Sequence, residues 1–165
     1  MKNKMIIVVV FLIFFMIGFL GVRGFLTQEK EKAFDLDGFH ITLTDQFQEE
    51  EMDGVTVYLE SDYVGIAAYQ EPFTDLEIIG LNKNSTLDEY MQLVIQNNGG
   101  DEEIKHENDL TYVEYEKEID GETYYYFVTT FKGEDSFWVV NFFSLKDNKN
   151  TYRDDFIKWA QSIEV

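Results

Sequence analysis

The hydrophobic pattern divides the chain in two. Met5 to Val22 is an unbroken uncharged, mostly apolar run, long enough to cross a bilayer core as one helix. Beyond it, apolar residues recur at strand and helix spacings. Phe34 to Thr44 predicts a hairpin turning at Asp37-Gly38. Val55 to Leu59 alternates as a half-buried strand does, and Val64 to Tyr69 is its expected partner. Glu71 to Asn84 shows no clear period and is expected to be a long loop. Thr86 and Glu89 form a capping-box pattern before Leu87, Tyr90, Met91, Val94 and Ile95, one helical stripe. Asn97-Asn98-Gly99-Gly100 ends that helix.

Three strands are expected next: Leu110–Ile119, Glu122–Lys132 across an Asp120-Gly121 turn, and Ser136–Ser144. In the last of these, Phe137, Val139 and Phe143 alternate with Trp138, Val140 and Phe142, so both faces are apolar and both need cover. A final helix over about Thr151 to Ser162 puts Tyr152, Phe156, Trp159, Ala160 and Ile163 on one stripe. The expected fold class is α+β: a mostly antiparallel sheet with helices on both faces, an α/β/α sandwich, preceded by one N-terminal transmembrane helix. The expected domains are a cytoplasmic leader over 1–4, the anchor over 5–22, a linker over 23–33 and an extracytoplasmic domain over 34–165.

The flanks of the apolar run bear on localisation. Lys2 and Lys4 precede it and Arg23 follows. The run exceeds the apolar stretch of a secretory signal, and Val22-Arg23-Gly24 is a poor cleavage site, with a charge in its middle. An uncleaved signal-anchor is favoured, with the domain outside; the alternative is a cleaved, secreted chain. Basic residues flank both sides, so charge bias alone does not orient the segment. Gly18, Gly21 and Gly24 are spaced by three, unlike a small-residue helix-dimer motif.

Charge and composition narrow the function classes. The net charge is −19, and with Lys2, Lys4 and Arg23 set aside the remainder carries −22. Such a field repels nucleic acid and an anionic membrane surface, and suits a basic protein or divalent cations. There is no cysteine, which excludes disulfides, thiolate metal sites, a cysteine nucleophile and a lipid-bearing cysteine.

The segments GFHITLTDQF near the domain start, Ser-Thr-Leu-Asp-Glu-Tyr at 85–90, the Asp-Gly hairpin, FWVVNFF and the closing aromatic helix together resemble the PsbP/DcrB-like group. The resemblance covers most of residues 34–165 and lies in hydrophobic positions rather than a motif. The chain departs from the group at Thr44, where a proline is common, and in having no lipobox cysteine. The resemblance implies a small extracytoplasmic α/β/α domain, often tethered, with a binding or accessory role, as PsbP is an accessory subunit at a photosynthetic complex. It carries over no catalytic residues.

Candidate chemistry is sparse. His40 and His106 lack a zinc-binding spacing. Ser61, Ser85, Ser136, Ser144 and Ser162 are expected in turns, caps or strands, with no histidine placed beside them. Asp35-Leu36-Asp37-Gly38 lacks the ligands of a calcium loop. The acidic runs Glu49-Glu50-Glu51 and Asp101-Glu102-Glu103 are expected to be solvated loops that could hold cations weakly. Tyr124-Tyr125-Tyr126-Phe127 is the densest aromatic segment, expected to pack across strands rather than grip a ligand. The expectation is therefore no catalytic, cofactor-binding or metal residue, no cofactor, and a membrane-tethered binding domain with an envelope protein partner. An envelope-acting hydrolase and a weak divalent-cation sensor are the alternatives.

Overall fold

The computed structural model describes residues 29–165. The Met5–Val22 run and its flanks lie outside the described residues. Among those described, no helix is long and apolar enough to cross a membrane.

The chain forms β1 (Glu31–Leu36), β2 (Phe39–Thr44), β3 (Gln48–Glu50), β4 (Val57–Glu60), β5 (Val64–Pro72), α1 (Phe73–Leu76), α2 (Leu87–Asn97), β6 (Lys105–Glu107), β7 (Leu110–Ile119), β8 (Glu122–Lys132), β9 (Ser136–Leu145) and α3 (Lys149–Gln161). A seven-stranded sheet runs in the order β3-β4-β5-β9-β8-β7-β6, and β1-β2 is a separate two-stranded sheet. Every pairing is antiparallel.

The hairpins fold where the sequence predicts. Asp37 and Asp120 have φ of 50° and 52°, and Gly38 and Gly121 follow at 82° and 87°. Both turn residues sit in the left-handed region, as a turn matched to the twist of its strands requires. The first strand begins at Glu31, ahead of the expected start at Phe34.

The sheet is covered on both faces. On one side α1 and α2 lay Phe73, Leu76, Tyr90, Met91, Val94 and Ile95 over Val113, Val128, Phe137 and Val139. On the other, α3 and the β1–β2 hairpin lay Phe156, Trp159, Phe39, Ile41 and Leu43 over Trp138, Val140 and Phe142. The two-faced pattern of β9 thus marks the central strand of a three-layer domain, one outer layer being helix plus hairpin. Each such large apolar side chain contributes about 1.5–3 kcal/mol when fully buried. Phe39, Phe127, Phe137, Phe142 and Phe156 are all 0% exposed, so aromatic packing dominates both cores.

The hairpin is fixed to the end of the chain. His40 and Glu164 exchange backbone hydrogen bonds at 2.9 and 3.1 Å. Ser162 Oγ accepts from Thr42 N–H at 3.0 Å. The capping box at α2 is complete: Thr86 Oγ1 accepts from Glu89 N–H at 3.1 Å, and Glu89 Oε2 accepts from Thr86 N–H at 2.7 Å.

Two expectations are corrected. The expected loop over Glu71–Asn84 contains the end of β5, α1 and a 3₁₀ turn over Glu77–Ile79. Phe73 and Leu76, three apart, bury one side of α1, a signal too short to register as a period. Glu49 and Glu50 lie in the edge strand β3 rather than in a loop. His106 lies within β6, the opposite edge strand.

Candidate functional site

The densest polar constellation joins α3 to β6, β7 and β8. Alternation along β7 points Tyr112, Glu114 and Glu116 toward the α3 side, where Arg153 and Lys149 meet them. Arg153 Nε donates to Glu114 Oε1 at 2.7 Å and its Nη2 to Glu114 Oε2 at 3.3 Å. The same carboxylate accepts from Tyr125 Oη at 2.6 Å and from Lys105 Nζ at 3.0 Å. Tyr112 Oη donates to Glu107 Oε2 at 3.1 Å. Further along, Lys146 Nζ and Lys149 Nζ lie 2.7 and 3.3 Å from the Glu116 oxygens.

Burial pushes the Glu114 carboxyl up, but the hydrogen bonds from Arg153, Tyr125 and Lys105 outweigh it and hold it down at about 2. Burial, and then the Glu114 carboxylate, push the Tyr125 phenol well up. The hydrogen bond to Glu114 raises Arg153 further above its ordinary value. A carboxylate fixed ionised and a phenol fixed protonated are poor proton shuttles near neutral pH. What this arrangement does is clamp the start of α3 to the sheet.

A second pair lies on the α2 side. Tyr90, stacked on Phe137 at 4.5 Å between centroids, donates a short hydrogen bond from its hydroxyl to Glu71. Burial raises the Glu71 carboxyl, and the Tyr90 hydrogen bond opposes that rise. Burial and the Glu71 charge raise the Tyr90 phenol.

The residues singled out from sequence are dispersed. His40 Nε2 lies 3.4 Å from Asp35 Oδ1 on the β1–β2 hairpin, and His106 Nε2 lies 2.9 Å from Asp88 Oδ1 between β6 and α2. No group of three or more metal-ligating side chains occurs among the described residues. Ser61 Oγ accepts from Val64 N–H at 3.2 Å in a turn, and Ser85 Oγ accepts from Asn82 N–H at 3.1 Å before α2. Ser136 Oγ accepts from Gln70 Nε2 at 3.1 Å, and Ser144 Oγ donates to Leu145 O at 3.1 Å. Ser162 Oγ donates to Trp159 O at 2.7 Å at the end of α3. Asp35-Leu36-Asp37-Gly38 is the β1–β2 turn. Asp101-Glu102-Glu103 lies in the connection from α2 to β6.

The tyrosine run divides between the two faces, as a strand must. Tyr125 and Phe127 are fully buried on the α3 side. Tyr126 is half-buried on the other, stacked on Tyr115 at 5.0 Å and tilted against Phe143 at 5.8 Å. Beside this row, Asn141 Oδ1 is buried without a hydrogen-bond partner, and so is Thr130 Oγ1. Neither atom reaches solvent, so both are a cost to the core rather than contacts for a ligand.

Sequence reasoning did not find the Glu114–Arg153 or Glu71–Tyr90 pairs. The signal for the first was the alternation of Tyr112, Glu114 and Glu116 on a strand otherwise apolar on that side at Leu110. No spacing links Glu114 to Arg153, which are 39 residues apart.

No family model matches the sequence, and comparison with curated proteins finds no match. Similarity appears at the level of structure. The solution structure of the cyanobacterial PsbP, CyanoP, from Synechocystis sp. PCC 6803 superposes with a TM-score of 0.56 at 15% identity, covering 90% of this chain and 99% of that one. A crystal structure from Bacteroides thetaiotaomicron VPI-5482 superposes with a TM-score of 0.52 at 11% identity, covering 84% of this chain and 49% of that one. The first match spans essentially the whole of CyanoP, and the chain has a PsbP-like fold.

Proposed function

We propose that this chain is a single-pass membrane protein whose Met5–Val22 run tethers a PsbP-like domain outside the cytoplasm. The domain is an accessory or binding module for a basic envelope protein and carries out no chemistry. The finer DcrB-like kinship belongs to the same reading. The observation that carries it is the PsbP-like fold joined to a strongly acidic surface: the residues beyond Arg23 carry −22, the chain's −19 without its three leading positive charges. Opposite charge steers a partner to such a surface and selects against wrong ones. The engagement of the five serines in turns, strands and a helix end supports a non-catalytic role.

Protease added to intact cells tests the topology. The expected result is digestion of the domain, with a membrane fragment containing an intact Met5–Val22 run by mass. A domain protected until the membrane is breached contradicts the orientation, and a mature chain beginning near Phe25 contradicts the anchor.

A further inference from the structure

The segment between β5 and α2 carries two of the three exposed large hydrophobics among the described residues, and both of its ends are fixed. Phe73 is buried, edge-on to Phe137 at 5.1 Å between centroids, and its N–H donates to Asp135 O at 2.9 Å. Leu76 is fully buried, and Leu81 N–H donates back to Leu76 O at 3.2 Å. Gly80, at φ 89°, closes the 3₁₀ turn with its N–H on Glu77 O at 3.1 Å. Between these points Ile78 and Ile79 face outward, 65% and 42% exposed. Among the described residues, the other exposed large hydrophobic is the terminal Val165.

A single exposed apolar residue is ordinary. Two adjacent isoleucines on a braced turn are different. Their β-branched side chains are stiff, and the turn is already ordered, so a partner that covers them immobilises little. The surrounding charge selects the partner. Asp75 and Glu77 are exposed beside the isoleucines, and the next basic residue in the chain is Lys83. The net −22 beyond Arg23 repels a second copy of the domain, and it repels an anionic lipid surface. An apolar pocket rimmed by Lys or Arg complements both features.

We propose that the Ile78–Ile79 turn is the contact by which the domain docks onto a protein partner presenting an apolar pocket with a basic rim. The inference rests on the reading of the domain as a binding module and names the surface it uses.

A photo-reactive phenylalanine analogue replaces Ile78, Ile79 or, as control, Glu122 at the opposite end of β8, in the full chain in its own membrane. Irradiation is expected to join one identified protein to positions 78 and 79 but not 122, at a peptide whose apolar residues are flanked by Lys or Arg. With that partner purified, Ile78→Asn and Ile78→Asp in the full chain are expected to weaken binding about thirtyfold without lowering the melting temperature. Salt is expected to weaken binding further by screening the rim. An adduct with lipid, an adduct with a second copy, or binding unchanged by both substitutions overturns the proposal. A partner captured at Glu122 alone leaves the binding module standing and removes this turn as its contact. No protein captured at any of the three positions counts against both.

Discussion

Arg153 on α3 donates from Nε to Glu114 Oε1 on β7 at 2.7 Å, and Glu114 keeps only 9% of its side-chain surface exposed. A nearly buried carboxylate with four donors around it makes the attachment of α3 dependent on charge. Arg153→Ala is expected to cost about 1–3 kcal/mol, since it removes charge-assisted hydrogen bonds and leaves Glu114 short of partners. Urea denaturation of the 29–165 domain measures it.

Among the described residues, four carboxyls are shifted, Glu114 and Glu116 downward and Glu71 and Asp155 upward, and Glu114 and Glu71 are the more buried of each pair. Glu114 is held at about 2, against its burial, by Arg153, Tyr125 and Lys105. The folded state therefore binds this proton less readily than the unfolded state. Its stabilisation is full above the ordinary glutamate range near 4.3 and is lost as pH falls toward about 2. Glu71 is raised by burial, so the folded state binds its proton more readily, and its contribution grows as pH falls through the raised value. Urea midpoints are expected to rise slightly on mild acidification and then fall between about pH 4.5 and 2. Glu71→Gln should reduce the rise, and Glu114→Gln should flatten the acid limb. An acid limb unchanged by Glu114→Gln contradicts the assignment.

Gly65 on β5 allows Phe143 on β9 to lie flat across the sheet. A Cβ at Gly65 would meet the Phe143 ring 2.2 Å away. The ring is held against Tyr126 at 5.8 Å, so it cannot swing away freely. Gly65→Ala is expected to destabilise by about 1–3 kcal/mol. Phe143→Ala in the same molecule should recover part of that loss, a coupling that a double-mutant cycle measures. Additive effects would show that the two residues do not meet.

Trp159 packs α3 against the connection from β2 to β3. It is 6% exposed and lies edge-on to Phe47 at 5.2 Å. Trp159→Ala is expected to cost about 3–5 kcal/mol, read as a shifted urea midpoint. A loss below about 1 kcal/mol would mean that its cavity collapses or that this connection is loosely held.

What the sequence reveals depends on how far apart the interacting residues lie. The capping box at Thr86 and Glu89, the Asp120-Gly121 hairpin and the two-faced run of β9 are local patterns, and each forms as its spacing predicts. The edge strands β3 and β6 escape notice because every residue in them is exposed, which erases the alternation that marks a strand. α1 is missed because it is a single short turn of helix. The Glu114 and Glu71 sites are illegible for another reason: their partners come from distant elements, and a lone glutamate in a strand looks the same whether it is solvated or clamped. Ile78 and Ile79 invite a buried reading from hydrophobicity alone, and only the 3₁₀ turn shows that they face out.

The acidic surface predicts a diffuse response to cations. Millimolar calcium should raise the melting temperature modestly by relieving repulsion among loops such as Asp101-Glu102-Glu103, and higher sodium chloride should reproduce much of the effect. A saturable response at micromolar calcium, insensitive to sodium chloride, would reveal a specific site.

On the function proposed above, tethering rather than chemistry makes the domain work. Holding a weak binder at the membrane raises its effective concentration near membrane partners without any new contact. The decisive measurement is in-cell activity for three forms: the native chain, the released 29–165 domain, and a chain whose Met5–Val22 run is exchanged for an unrelated span of the same orientation. The released domain is expected to stay folded but lose most activity, and the exchanged span is expected to restore it. A released domain that keeps full activity, with one substitution abolishing it while the fold persists, would instead show an enzyme acting on a diffusible substrate.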